Sequence, residues 1–242
     1  MSLQLIHLGP YPVGQSRRDI FGAVCITLPS PLSIEIVDHP TGLLHERDDA
    51  LIELNLALAR ARAGHGELAL ATGEAGAGKT SVIREFLGHA AGRQVVLHGA
   101  CDPLAVPRPL GPLIDAARDV DPAAAQRLGA GISRVEAFAI AQSLIDGTYS
   151  AGRTTVFVIE DLHWADDATL DLLTFLGRSV LHVATLLLVS YRDDEVSVGH
   201  PLRDRLGELG STIKARIHLH PLSQEAVAQM ASGSSVGAWI VQ

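Results

Sequence analysis

Five short apolar segments divide this 242-residue chain, and each is separated from the next by a stretch with helical periodicity. The segments are ELALAT (67–72), QVVLHG (94–99), TTVFVIE (154–160), ATLLLVSY (184–191) and KARIHL (214–219). Strands that are apolar on both faces need cover on both faces, which helices provide in a parallel sheet. The pattern therefore predicts an α/β fold of three layers, with a five-stranded, mainly parallel sheet between helices.

The segments between the strands predict the helical layers. Residues 46–63 carry leucines at helical spacing, acids near the start and arginines near the end, as the helix dipole favours. Residues 108–150 predict two or three helices, which is longer than a minimal crossover between parallel strands. The segment DDATLDLLTFLGRSV (166–180) has one apolar and one polar face, and we expect it to pack on the sheet.

Composition and charge exclude several functional classes. The formal net charge is −8, and no run of Lys or Arg is longer than RR, so we expect no direct nucleic-acid binding. No segment approaches the ~18 uninterrupted apolar residues of a membrane span, so we expect no membrane partner. Cys25 and Cys101 lack CxxC or metal-ligand spacing, which fits a reducing, cytoplasmic location.

The N-terminal segment SRRDIFGAVCITL (16–28) superficially resembles a twin-arginine export signal. Its apolar run is short and no A-x-A-like cleavage site follows, so we favour a strand or a loosely ordered extension. We expect three parts in the chain: an extension over 1–40, one domain over 41–231 and a tail over 232–242.

The stretch TGEAGAGKTS lies between a predicted strand and a predicted helix and fits G-x-x-x-x-G-K-[ST]. Glycines let backbone N–H groups surround a phosphate, and the following helix N-terminus adds partial positive charge. We expect Lys79 to reach the β and γ phosphates and Thr80 to bind Mg²⁺. A glycine-rich turn that only caps a helix is the alternative. The predicted nucleotide-binding residues are Gly73, Glu74, Ala75, Gly76, Ala77, Gly78, Lys79, Thr80 and Ser81.

Two acids end the third predicted strand. A Mg²⁺–nucleotide site needs a carboxylate at a strand tip beside the phosphate loop, and hydrolysis needs a group that orients or deprotonates water. By position, we assign Glu160 to the metal together with Thr80, and Asp161 to the attacking water. The reverse order of roles, and two solvated acids that merely start a loop, are the alternatives.

Arg192 follows the fourth predicted strand and leaves the sheet at the same edge. A guanidinium there is suited to sensing the γ-phosphate or neutralising charge in the transition state, which makes it a fourth candidate catalytic residue. The alternative is a salt bridge with Asp193, Asp194 or Glu195. Arg178 is a further candidate that would act across a subunit contact.

Five ordered blocks of the sequence together resemble a known family. They are LLHERDDALIELNLALARARAGHGELALATGEAGAGKTSVIREF, GACDPLAVPRPLGPLIDAARD, VIEDLHWADDATLDLLTFLGR, LLLVSYRDDEV and HLHPLSQEAVAQMA. The resemblance is to the ATPase domain of signal-transduction P-loop NTPases (STAND, AAA-like). It is closest to large LuxR-type bacterial transcriptional regulators and adenylate-cyclase-associated regulators, and it covers about residues 41–231.

The resemblance implies an additional-strand (ASCE) type of nucleotide switch, with ATP bound when active, ADP bound at rest and slow hydrolysis that depends on Mg²⁺. It implies the phosphate-loop pair at Lys79 and Thr80, the acidic pair at Glu160 and Asp161, and the sensor at Arg192. The lead-in at 45–47 would border the adenine. A protein partner or self-association is the expected mode of signalling.

The sequence departs from the family pattern in two places, and both affect the functional prediction. The lead-in usually has Gly before Arg-Glu but here reads LLHERDD, and such regulators continue into further C-terminal domains whereas this chain ends at Gln242. We therefore expect either a slowly hydrolysing ATPase switch module or a non-hydrolysing nucleotide-binding module of a truncated regulator. A small-molecule kinase is a weaker alternative, since no Arg-rich lid or acceptor site is identifiable.

Overall fold

The computed structural model describes residues 44–89, 94–104, 106 and 108–233, and these contain the predicted sheet. All strand pairs are parallel, and the strand order is β2-β3-β4-β1-β5. The α/β, three-layer prediction is confirmed, and each strand lies within one residue of its predicted bounds. The strands are β1 (Glu67–Thr72), β2 (Gln94–Ala100), β3 (Thr154–Glu160), β4 (Thr185–Tyr191) and β5 (Ile213–His218).

Eight α-helices lie in the described part of the chain, and three of them form the long connection between β2 and β3. Local capping explains two of the helix starts, because Asp121 and Asp166 each accept a backbone N–H of the helix that follows. The helices are α1 (Asp48–Arg62), α2 (Lys79–His89), α3 (Gly111–Val120), α4 (Pro122–Gly129), α5 (Arg134–Ser150), α6 (Asp167–Ser179), α7 (Pro201–Glu208) and α8 (Gln224–Gly233).

The two faces of the sheet belong to two separate hydrophobic cores. Along β1, Leu68 and Leu70 pack into the core formed with α3, α5 and α6, whereas Ala69 and Ala71 pack into the core formed with α1 and α2. Successive strand residues point to opposite faces, so each central strand supplies both cores. β5 instead alternates buried and exposed residues, as an edge strand does.

The strand order determines where functional side chains can meet. All five strands end at the same edge because the sheet is parallel, and β4 lies between β1 and β3. The phosphate loop after β1 and the acids at the end of β3 therefore face each other across the end of β4. This is the additional-strand arrangement that the family resemblance implied.

The expected extension over 1–40 and most of the tail lie outside the described residues, and so does the segment that resembles an export signal. Among the helices of the described segments, none has the length and hydropathy that a bilayer crossing requires.

A glycine-to-alanine pair tests how closely α3 packs on β2. A Cβ at Gly99 would lie 2.1 Å from the carbonyl oxygen of Pro112, whereas a Cβ at Gly88 in α2 would meet nothing within 4 Å. We expect Gly99→Ala to lower the free energy of unfolding by about 1–3 kcal/mol, since backbone must move. Gly88→Ala is the matched control and should raise it by about 0.5–1 kcal/mol. Urea unfolding measures both, and equal stabilities would contradict the packing.

Candidate nucleotide-binding site

The loop between β1 and α2 has the backbone of a phosphate cradle. Gly73, Gly76 and Gly78 have φ values of 146°, 77° and 87°, a region that L-residues with a Cβ rarely adopt. A Cβ at Gly73 would also lie 2.3 Å from the carbonyl oxygen of Leu219. The loop therefore needs glycine for its shape, and it opens directly into the N-terminus of α2 at Lys79.

Lys79 lies inside this loop with only 7% of its surface exposed. Its Nζ donates hydrogen bonds to the carbonyl oxygens of Gly73 (2.7 Å) and Glu74 (2.9 Å). Burial lowers the pKa of the Lys79 ammonium, and the negative charge of Asp161 opposes that shift. The cation is thus held within the curve of the loop, under the influence of the acid that follows β3.

Glu160 ends β3 and is bound from two sides. Its Oε2 accepts a hydrogen bond from the Thr80 hydroxyl (2.6 Å), and its Oε1 lies 2.8 Å from Nε2 of His98 on β2. A carboxylate can only accept, so this imidazole nitrogen carries the proton. Burial acts to raise the pKa of Glu160, but the hydrogen bonds from His98 and Thr80 outweigh it and hold the pKa below its ordinary value.

Asp161 is adjacent in sequence but has a different environment. Its backbone is left-handed (φ 56°), and its N–H donates to the Ser190 hydroxyl on β4 (3.2 Å). Burial raises the pKa of Asp161, with His163 acting in the opposite direction and the charge of Glu160 adding to the increase. The two acids therefore differ: Glu160 contacts Thr80 and is stabilised as an anion, whereas Asp161 is destabilised as one.

Arg192 follows β4 and is bound within its own turn. Its Nη1 donates to Oε1 of Glu195 (2.5 Å), and its guanidinium lies 4.9 Å from the centre of the Trp164 ring. The salt bridge named as an alternative from the sequence is thus present, with Glu195 as the partner. Arg192 still lies at the same edge of the sheet as the phosphate loop, because it directly follows β4.

The lead-in before α1 ties the phosphate loop to the chain after β5. Arg47 is 6% exposed, and its Nη2 donates to the carbonyl oxygens of Ala77 (3.0 Å) and His220 (2.8 Å). The carboxylate of Glu46 accepts from the N–H (3.0 Å) and the hydroxyl (2.5 Å) of Ser223. The lead-in therefore restrains both the loop and the start of α8.

The structure brings the predicted site residues to one edge of the sheet, with the exception of Arg178. The nine loop residues, the two acids and Arg192 lie together there, whereas Arg178 lies on α6 beside Glu208 (3.6 Å).

His98 was missed by sequence reasoning. It occupies an ordinary position within an apolar strand, and only the pairing of β2 with β3 places it beside Glu160.

Comparison with known proteins agrees with this geometry. A family profile described as "AAA ATPase domain" matches residues 44–189, which is more than half of the chain. The chain belongs to this family of P-loop ATPase domains. Among curated protein sequences, none matches the chain significantly.

Three solved structures of archaeal ORC and Cdc6 proteins share the fold. ORC2 of Aeropyrum pernix, in ADPNP–ADP complexes, has a TM-score of 0.58 and 14% identity over 78% of this chain and 51% of its own. Cdc6p of Pyrobaculum aerophilum has a TM-score of 0.52 and 19% identity over 84% and 50%. ORC1 of Aeropyrum pernix in complex with DNA has a TM-score of 0.53 and 18% identity over 81% and 51%. The chain thus spans about half the length of these proteins, and the likeness establishes the fold.

Replacement of Arg47 tests the lead-in contacts. Arg47→Met keeps the side-chain bulk but leaves the carbonyls of Ala77 and His220 without their donor. We expect a loss of about 2–3 kcal/mol in the free energy of unfolding, because a buried charge-assisted bond to Ala77 and a part-buried one to His220 disappear. The control is Arg118→Met, whose arginine is 60% exposed and pairs with Asp115 of the same helix. It should change stability by less than about 0.5 kcal/mol. Similar losses in the two variants would contradict the role of Arg47.

Proposed function

We propose that this chain is the ATP-binding, slowly hydrolysing module of a signalling or transcription-regulatory switch protein. The observation that carries the proposal is the hydrogen bond of 2.6 Å between Thr80 and Glu160. It joins the first turn of the helix after the phosphate loop to the strand that bears the acids. A hydroxyl and an ionised carboxylate side by side are the oxygen donors that Mg²⁺ with a bound nucleotide uses.

Each site residue has a role in this proposal. The loop from Gly73 to Ser81 surrounds the phosphates, and Lys79 exchanges its two carbonyl partners for β- and γ-phosphate oxygens. Thr80 and Glu160 would hold Mg²⁺, which would neutralise charge on the phosphates. His98 orients the Glu160 carboxylate through its second oxygen.

Asp161 orients and deprotonates the attacking water. The water oxygen forms a bond to the γ-phosphorus, the bond to the β–γ bridging oxygen breaks, and the water proton passes to Asp161. Burial raises the pKa of Asp161, which makes its carboxylate a stronger base than an exposed aspartate. Arg192 stabilises the charge that develops on the transferred phosphoryl group.

The regulatory part of the proposal rests on the five ordered sequence blocks. They resemble LuxR-type and adenylate-cyclase-associated regulators of the STAND class, in which nucleotide state controls signalling. We assign the module to 41–231, with an extension over 1–40 and a tail over 232–242, in the cytoplasm and acting through a protein partner or another copy of the chain. The ORC1 of Aeropyrum pernix was solved in complex with DNA. We propose no contact with DNA for this chain, because its formal net charge is −8.

One observation favours the alternative of a non-hydrolysing binding module. Arg192 is occupied by Glu195 at 2.5 Å, and this pairing competes with the γ-phosphate for the guanidinium. The two functions differ in turnover but not in binding. Phosphate release from ATP with Mg²⁺, compared with equilibrium nucleotide binding on the same preparation, separates them: turnover supports the switch, and binding without turnover supports the alternative.

The first functional prediction concerns Lys79. Lys79→Ala should weaken ATP binding by about a hundredfold or more, because two charge-assisted contacts to phosphates are lost. Isothermal titration calorimetry measures the affinity. Lys214→Ala removes the other lysine of the chain, which is exposed on β5, and should leave ATP affinity unchanged. Unaltered ATP affinity in Lys79→Ala would refute the phosphate-loop assignment.

The second functional prediction separates the two acids. Asp161→Asn should keep Mg–ATP binding but lose about a hundredfold or more in turnover, because the base is removed. Glu160→Gln should lose turnover and also need more Mg²⁺ for binding. Asp167→Asn, an exposed acid at the start of α6, is the control and should retain turnover. Equal turnover in Asp161→Asn and the parent would remove Asp161 from the mechanism.

A further inference from the structure

His163 is a buried polar side chain that the proposed mechanism does not use. Its imidazole is fully buried, in the short 3₁₀ turn Leu162–Trp164 that follows Asp161. Nδ1 accepts a hydrogen bond from the backbone N–H of Arg192 (3.4 Å), so the neutral ring carries its proton on Nε2. Within the described residues this Nε2 has no hydrogen-bond partner, which is a cost for a buried donor.

His163 also holds both ends of the loop that follows β4. The loop starts at Arg192, whose N–H is bound to Nδ1 of His163. It ends at His200, whose Nε2 lies 3.2 Å from the backbone carbonyl oxygen of His163. Val196 is buried in the core between these ends, whereas Val198 is 86% exposed. The loop that His163 contacts at both ends therefore includes an exposed segment.

Glu195 faces Arg192 and His163 with different carboxylate oxygens. Its Oε1 is 2.5 Å from Nη1 of Arg192, and its Oε2 is 3.8 Å from Nε2 of His163. The first distance is a charge-assisted hydrogen bond, and the second is about 1 Å too long for one. Glu195 held by Arg192 thus leaves the buried His163 donor unsatisfied. A movement of Oε2 by about 1 Å toward Nε2 would form the second bond.

We propose that Glu195 exchanges partners when ATP binds: a γ-phosphate takes Arg192, and the released Glu195 accepts the Nε2–H of His163. This rests on the proposed function, in which Arg192 contacts the γ-phosphate. His163 and Glu195 are then positioning residues that stabilise the ATP-bound arrangement of the loop 192–200. ADP has no γ-phosphate and leaves the Arg192–Glu195 pair intact.

The exchange also determines the nucleotide preference of the chain. The γ-phosphate gains Arg192 but must break the pair with Glu195, and the new bond from His163 offsets that loss. The gains and losses are of similar size, so we expect the parent chain to bind ADP and a non-hydrolysable ATP analogue within about tenfold of each other. Removal of the His163 donor should shift this ratio toward ADP, and weakening of the Arg192–Glu195 pair should shift it toward the ATP analogue.

Calorimetric titration of the whole chain with both nucleotides and Mg²⁺ tests the exchange. In His163→Asn, the amide oxygen replaces the Nδ1 acceptor and nothing replaces the Nε2 donor. It should bind the analogue about tenfold more weakly and ADP with unchanged affinity. Glu195→Gln keeps an acceptor for His163 but loses its charge toward Arg192. It should bind the analogue about threefold to tenfold more tightly relative to ADP.

Two further variants make the test specific. Asp194→Asn removes an exposed negative charge from the same turn but leaves Glu195, the partner of Arg192, in place, and it should leave the ratio unchanged. In a Glu195→Ala background, His163→Asn should no longer alter the ratio, because the acceptor is gone. A general loss of stability changes both affinities together and so leaves their ratio unmoved.

The outcomes separate this inference from the proposed function. A parent chain that binds both nucleotides, with an unchanged ratio in His163→Asn and Glu195→Gln, overturns the exchange and leaves the function standing. An equal effect of His163→Asn in the parent and in the Glu195→Ala background also overturns it. A parent chain that binds neither nucleotide overturns the function and the exchange together.

Discussion

The hydrogen bond between Thr80 and Glu160 is the interaction on which the site depends. It spans the end of β4 and joins α2, which follows β1, to the last residue of β3. Because β1, β4 and β3 are parallel neighbours with buried side chains, the two residues are brought together by the whole central sheet rather than by a local turn. A change in the pairing of these strands would separate the hydroxyl from the carboxylate.

Two acids that are adjacent in sequence acquire opposite properties from their surroundings. Glu160 is buried, yet two hydrogen-bond donors lower its pKa, whereas burial raises the pKa of Asp161. The backbone turns left-handed at Asp161, directly after the last residue of β3. Aspartate tolerates this backbone better than most residues, so the position suits an acid on local grounds as well.

Hydrogen bonds connect the sheet edge that carries the phosphate loop to two more distant parts of the protein. Through Arg47, the phosphate loop is tied to His220 and the start of α8. Through His163, the turn after Asp161 is tied to both ends of the loop after β4. One route leads toward α8 and the other toward the loop 192–200, so the edge has two physical connections to more distant parts of the chain.

The apolar periodicity and the glycine-rich loop were sufficient to predict the α/β fold, the strand bounds to within one residue and the phosphate loop. These features are local, since periodicity of two or 3.6 residues and positive φ at glycine are properties of short segments. Glu195 was one of three acids named from the sequence as a partner for Arg192, but the other contacts were not predictable in this way. His98 looks ordinary in the sequence, and its contact with Glu160 depends on strand order. The carbonyl partners of Arg47 and the contacts of His163 depend on the path of loops. Sequence by itself therefore determined the elements and the chemistry at the edge, whereas only the tertiary structure decided which donor meets which carboxylate, because hydrogen bonds require distances that long-range packing sets.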